Sequence, residues 1–148
     1  MRTPERVIMT NMCMIEDGHG HVVVQERKGH WAGLAFPGGH VENGESLTDA
    51  VIREIHEETG LVIRHPHLVG MKGWFQDSGE RYLVFLYRAS EFSGTLSSSD
   101  EGEVRWVPLD DLKHLPLAPT MGDVLRVFLD ADISEMFWPM DSDEAQFK

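Results

Sequence analysis

The chain has 148 residues, enough for one domain with a real core, and its 41% apolar and 26% charged residues are ordinary for a soluble globular protein. A net charge of −12 argues against broad binding to nucleic-acid backbones, which calls for basic surface. No apolar run approaches the roughly 18 residues of a membrane span, and the opening Met1 to Arg6 leads into a segment too interrupted for a secretory leader. A cytoplasmic protein is expected.

Val7 to Ile15 is apolar enough for a buried strand, with Cys13 among Met12, Met14 and Ile15 as a buried, inert thiol. Asp17 to Gly20 reads as a turn, and His21 to Arg27 as the return strand of a hairpin. Gly29 to Pro37 is loop-like, anchored by Trp31, Leu34 and Phe36. The glycine-rich Gly38 to Gly44 leads into a helix from about Ser46 to Thr59, with Ser46 and Asp49 resembling a capping box and Gly60 in the C-cap place. Val62-Ile63, Leu68 to Phe75 and Tyr82 to Ala89 look like strands, with a turn at Asp77-Ser78-Gly79. Phe92 to Asp100 reads as a loop, Val104 to Val107 as a strand, Asp110 to Lys113 as a helical turn and Thr120 to Leu129 as a helix. The acidic tail, 132–148, carries Met136, Phe137 and Trp138, which should dock on their own domain or on a second copy. With no repeat and no linker, residues 1–148 are read as a single α/β domain.

The chemistry concentrates between Gly39 and Leu61. Glu54, Glu57 and Glu58 fall at i, i+3 and i+4, so three carboxylates crowd one side of the helix. At about 100° per residue, Glu54 and Glu58 share the direction of Leu47 and Val51, toward the interior, where unpaired carboxylates are costly. Asp49, Arg53 and His56 fall on the solvent-leaning side. Arg53 can serve Glu57 at i+4, but one guanidinium cannot neutralise three carboxylates. A hard divalent cation with oxygen ligands can, and Mg²⁺ suits a shell completed by phosphates, with Mn²⁺ as an alternative. Such a cation would also overturn, locally, the unfavourable field of an acidic chain toward phosphate. Gly38, Gly39 and Gly44 permit close approach of main chain to a ligand. Because Glu45 stands at the helix N-terminus, a loop that wraps metal is preferred to one that cradles phosphate.

Gly39, five residues, Glu45, seven residues, Arg53-Glu54, an aliphatic, any residue, Glu57-Glu58, any residue, Gly60 and an aliphatic make up the Nudix box without a departure. Its seven fixed letters would arise by chance at on the order of 10⁻⁸ per starting position. The flanks, a strand pair before and Trp106 to Leu112 after, also resemble that family, which implies an α/β/α sandwich around a mixed β-sheet. The resemblance further implies Glu57 and Glu58 as core metal ligands, Glu54 as a ligand or the base that orients water, and Gly39 as a carbonyl donor. Arg53 and Glu45 would form a positioning pair, and a later acidic residue, Glu101 or Glu103 with Glu101 slightly preferred, would complete the metal set.

For substrate binding, Trp74 could stack on a base, Asn11 could read a base edge, and Leu117 and Pro119 resemble the family's base-pocket region. His30 and His40 are expected as surface imidazoles, and His19, His21, His65 and His67 show no zinc spacing. Trp31 to His40, Tyr82 to Phe85 and Leu117 to Thr120 are similar to the MutT-like branch, which implies conversion of a nucleoside triphosphate, 8-oxo-dGTP among them, to monophosphate and pyrophosphate. The positions where ADP-ribose and dinucleoside-polyphosphate branches carry a proline or tyrosine hold Phe75, Gln76 and Asp77. ADP-ribose or a nucleotide sugar remains the alternative substrate, and a nucleotide-binding sensor without turnover, or an interaction domain using the tail, the alternative classes. The aromatic tail also offers surface for a homodimer, whereas no nucleic-acid polymer or membrane partner is expected.

Overall fold

The computed structural model describes residues 2–148. Strand β1 (Val7–Ile15) is apolar on both faces because both faces are covered. Met12 and Met14 pack with helix α2 (Met121–Leu129), while Cys13 and Ile15 pack with helix α1 (Leu47–Thr59). Cys13 is fully buried, and burial pushes its thiol pKa up, so it stays protonated and unreactive.

Beside β1 runs β6 (Arg81–Ala89) in parallel, then β5 (His67–Phe75) antiparallel to β6. The tail supplies two more strands, β9 (Glu135–Trp138) parallel to β5 and β10 (Gln146–Phe147), giving the order β1-β6-β5-β9-β10. A second sheet holds β2 (His21–Arg27) between β3 (Gly33–Ala35) and β8 (Val104–Pro108). A short pair joins β4 (Val62–Arg64) to β7 (Glu91–Ser93). With α1 and α2 on opposite faces of the mixed sheet, the architecture is the expected α/β/α sandwich. Among the described residues no helix is long and apolar enough to cross a membrane.

Four expectations need correction. The turn after β1 does not make a hairpin: β1 and β2 share one bridge, Glu16 to Val22, and then enter different sheets. The span Gly29 to Pro37 contains a 3₁₀ turn (Gly29–Trp31) and β3, and Phe92 belongs to β7. Leu34 and Phe36 are buried anchors, but Trp31 is 51% exposed. The tail docks on its own domain, with Met136 in the core and Phe137 edge-on to Phe75, while Trp138 Nε1 donates within the tail to the Ser142 carbonyl at 2.9 Å.

Helix α1 starts where its chemistry says it should. Ser46 Oγ accepts the Asp49 N–H at 3.0 Å, and Gly60, at φ +77°, closes the helix with its N–H on the His56 carbonyl.

Candidate active site

The loop before α1 is laid along the free edge of β1. Cys13 N–H donates to the Pro37 carbonyl at 2.9 Å, Asn11 N–H to the Gly39 carbonyl at 2.8 Å, and Val41 N–H to the Met9 carbonyl at 3.0 Å. Asn11 Oδ1 accepts the Gly39 N–H at 3.0 Å, and Glu58 Oε2 accepts the Gly38 N–H at 2.9 Å. The glycine pair is thereby clamped between β1 and the carboxylates of α1. A side chain at either position would collide, at Gly38 with the Asn11 main chain and at Gly39 with the Glu54 carboxylate.

Arg53 ties the carboxylates together. Its Nε and Nη2 form a fork on Glu45, at 2.7 and 3.0 Å, while Nη1 reaches Glu54 and Glu57, both at 3.1 Å. Nη2 also donates to the His40 carbonyl at 3.0 Å, joining helix to loop. Arg53 therefore lies folded across the helix edge rather than out in solvent, and these partners raise its pKa further.

The three box glutamates do not share one environment. Glu54 and Glu58 face a cleft of about 580 Å³, joined there by Glu101 from the turn before β8. Glu57 lies outside the cleft lining with a side chain 57% exposed, held by Arg53, so the idea of three carboxylates on one inward face holds for two. Glu103 is exposed and outside the cleft, its carbonyl occupied by the Glu26 N–H. Burial raises the Glu54 pKa against the opposing pull of Arg53, with Glu57 and Glu101 adding to the rise. Burial also pushes Glu58 up to about 7, opposed by the Gly38 N–H and reinforced by Glu54 and Glu101.

Among the described residues no three acidic, His or Cys side chains already converge on one point as a closed metal cage. The donor chemistry nevertheless fits a hard divalent cation. Three carboxylates share the cleft, Glu58 has no ion-pair partner among the described residues, and the Gly39 carbonyl keeps a lone pair beside the one given to Asn11.

This crowding predicts a pH signature for metal-free protein. Glu58 is ordinarily ionised above 4.5 but in the fold only above about 7, so folding favours its protonated form. Its cost is absent below pH 4.5, grows as pH rises, and is complete above 7, at about 3 kcal/mol for roughly 1.4 kcal/mol per pKa unit. In chelator, Glu58→Gln should therefore gain stability over wild type steadily between pH 5 and 8. Denaturant melts at a series of pH values check this, and a flat difference would mean the carboxylate is not strained.

The cleft's other walls come from strands. Paired residues across a sheet share a face, so the pairing of Thr10 and Lys72 with Val84 makes one row, and that of Ile8 and Trp74 with Tyr82 the next. Trp74 is stacked on Tyr82 at 4.5 Å and 16°, and Pro119 and Thr120 close this end. Leu117 does not line the cleft; it bridges to Leu34 and packs on the core. Asn11 lines the cleft at the glutamate end, its Oδ1 bracing Gly39 while its amide Nδ2 has no hydrogen-bond partner among the described residues.

Residues not singled out from the sequence also line the cleft: Arg27, Lys28, Gln25, Lys72 and Tyr82. His30 and His40, expected merely as surface groups, line it too. Arg27-Lys28 carried a readable signal, adjacent cations in an acidic chain just ahead of the glycine loop.

Comparison with known proteins agrees with this geometry. The family profile for the NUDIX domain matches residues 8–128. An uncharacterized Nudix hydrolase of Bacillus subtilis, YvcI, is 34% identical over 122 residues, covering 79% of this chain and 75% of that protein. The zebrafish (Danio rerio) oxidized purine nucleoside triphosphate hydrolase is 29% identical over 109 residues, covering 71% of this chain and 68% of its own. Among solved structures, a MutT protein from Bacillus halodurans superposes with a TM-score of 0.74 at 26% identity, covering 95% of this chain and 96% of that one.

Proposed function

The chain belongs to the Nudix hydrolase family, pyrophosphohydrolases acting on phosphorus-containing substrates, and from that premise we propose that it converts a nucleoside triphosphate, oxidised forms included, to the monophosphate and pyrophosphate. The observation that carries this reading is the make-up of one cleft. Carboxylates Glu54, Glu58 and Glu101 share it with cations Arg27 and Lys28 and with the stacked pair Trp74 and Tyr82. Its volume of about 580 Å³ is that of an ordinary small-molecule site.

Mg²⁺, or Mn²⁺ in its place, held by Glu54, Glu57, Glu58, Glu101 and the Gly39 carbonyl, would offset charge on the phosphate oxygens and acidify water. Glu54 takes the proton as water attacks phosphorus; a new P–O bond forms, the P–O–P bridge breaks, and pyrophosphate leaves with the electron pair. Arg53 and Glu45 hold Glu54 and the loop in register, so the positioning fork belongs to the geometry of attack rather than to the reacting atoms. Arg27 and Lys28 offset the negative field of the chain where the diphosphate enters.

The test is product analysis with Mg²⁺ across canonical and oxidised nucleoside triphosphates, ADP-ribose and nucleotide sugars. Pyrophosphate and a monophosphate from a triphosphate are expected, with no turnover in chelator. Cleavage of ADP-ribose alone would move the substrate, and silence across the whole panel would favour a nucleotide-binding module.

A further inference from the structure

Lys72 sits on β5, two strands from the β1 edge where the glutamates gather, or about 10 Å away at ordinary strand spacing. That separation suits a nucleotide whose phosphates lie at one end and whose base lies at the other. Its Nζ donates to Thr120 Oγ1 at 2.6 Å and lies 5.1 Å from the centre of the Trp74 ring. Among the described residues no carboxylate is within ion-pair distance of it. Burial, with Arg27 adding to it and Asp123 opposing, lowers its pKa to about 8, which leaves the amine protonated at neutral pH.

Thr120 is unusual in its own right. It occupies the N-cap position of α2 yet makes no side-chain cap, and it is held at φ +68°, a conformation that β-branched residues avoid. Its hydroxyl is given to Lys72 instead, which fixes the ammonium and leaves the hydroxyl proton free to donate. Two N–H bonds of Lys72 then remain, both donors, at the end of the cleft walled by Trp74 and Pro119, beside a Thr120 hydroxyl that can donate its proton or accept through its second lone pair. An ammonium cannot accept a hydrogen bond, so an amino group brought against it finds no partner, whereas an oxo oxygen satisfies it.

Resting on the nucleotide-hydrolase reading above, we propose that Lys72, fixed by Thr120, is a specificity-determining residue that selects a planar base presenting an oxo oxygen at the Trp74 end of the cleft. Hypoxanthine and guanine rings carry such an oxygen where adenine carries an amino group, so the preference separates 6-oxo from 6-amino purines.

The experiment is calorimetric titration of the Mg²⁺-loaded protein with dIMP and dAMP, which differ at that edge and require no turnover. Wild type should bind dIMP about 10- to 100-fold more tightly, the range one charge-assisted hydrogen bond supports. Lys72→Met should bring the two within about threefold, and Lys72→Arg, which keeps a cationic donor, should retain a clear preference. Equal affinities in wild type, or an unchanged ratio in a folded Lys72→Met protein, would overturn the proposal. Should Lys72→Met not fold, the wild-type ratio decides. Selective dIMP binding without hydrolysis of any triphosphate would sink the hydrolytic reading and leave Lys72 standing; hydrolysis of dITP and dATP at equal affinity would do the reverse.

Discussion

Replacing Glu54 with Gln should lower kcat by about two to three orders of magnitude at saturating Mg²⁺, the usual yield of a positioned base or a lost transition-state contact. Gln has nearly the shape of Glu and can keep a bond to Arg53, so the fold is retained and the loss is chemical. Glu54 is the glutamate best placed to act as the base, since it faces the cleft, lies against Gly39, and has a pKa raised by burial toward the range where a base is effective. Glu57→Gln should fail differently. Glu57 lies on the exposed side of the helix, beyond the cleft lining, so a role as ligand requires it to trade its bond with Arg53 for one with a cation. Its loss should raise the Mg²⁺ concentration needed for half-maximal rate as well as cutting turnover. Initial rates over a Mg²⁺ series separate the two. A Glu54→Gln enzyme restored by excess Mg²⁺ would make Glu54 a ligand alone, and full activity in Glu57→Gln would remove Glu57 from the site.

Helix α1 was legible because its instructions are local. Ser46, Gly60 and the inward spacing of Val51, Glu54 and Glu58 each act within a turn or two of chain. The bounds of β1 and β2 were legible for the same reason, as stretches rich in apolar and β-branched residues separated by the polar turn Asp17 to Gly20. Their partners were not. β1 turns away from its neighbour in sequence and pairs with β6, because both its faces carry apolar side chains and a central place between two helices buries both. Lys72 was invisible for a related reason. In sequence it is a lysine inside a strand, and only the pairing of Val84 with Thr10 on one side and Lys72 on the other brings it into the cleft. Trp31 and Leu117 misled because an aromatic or aliphatic residue in a loop reads alike whether it is exposed, as Trp31 is, or turned to the core, as Leu117 is. The box motif reaches the glutamates but not the base end, since those walls come from β5, β6 and the segment ahead of α2, far from the box.

The two adjacent glycines of the loop should fail in opposite ways when each is replaced by alanine, and the contrast isolates what the glutamates do. Neither glycine has positive φ, so the backbone itself tolerates alanine at both, and only the added methyl matters. At Gly38 the methyl meets the Asn11 carbonyl and the Met12 Cα, main-chain atoms of β1 that cannot step aside without unseating the loop and the Gly38 bond to Glu58. Gly38→Ala should cost about 3 kcal/mol of stability, the upper range for overpacking a closed site. At Gly39 the methyl meets only the end of Glu54, lying 2.6 Å from Oε1, and a flexible carboxylate can swing away. Gly39→Ala should therefore melt within a few degrees of wild type yet lose about a hundredfold in kcat, as a reacting group displaced by about 1 Å does. Thermal melts alongside initial rates check both. A Gly39→Ala protein with normal kcat would show that the position of Glu54 does not govern the chemistry, and the cleft would then need a different base.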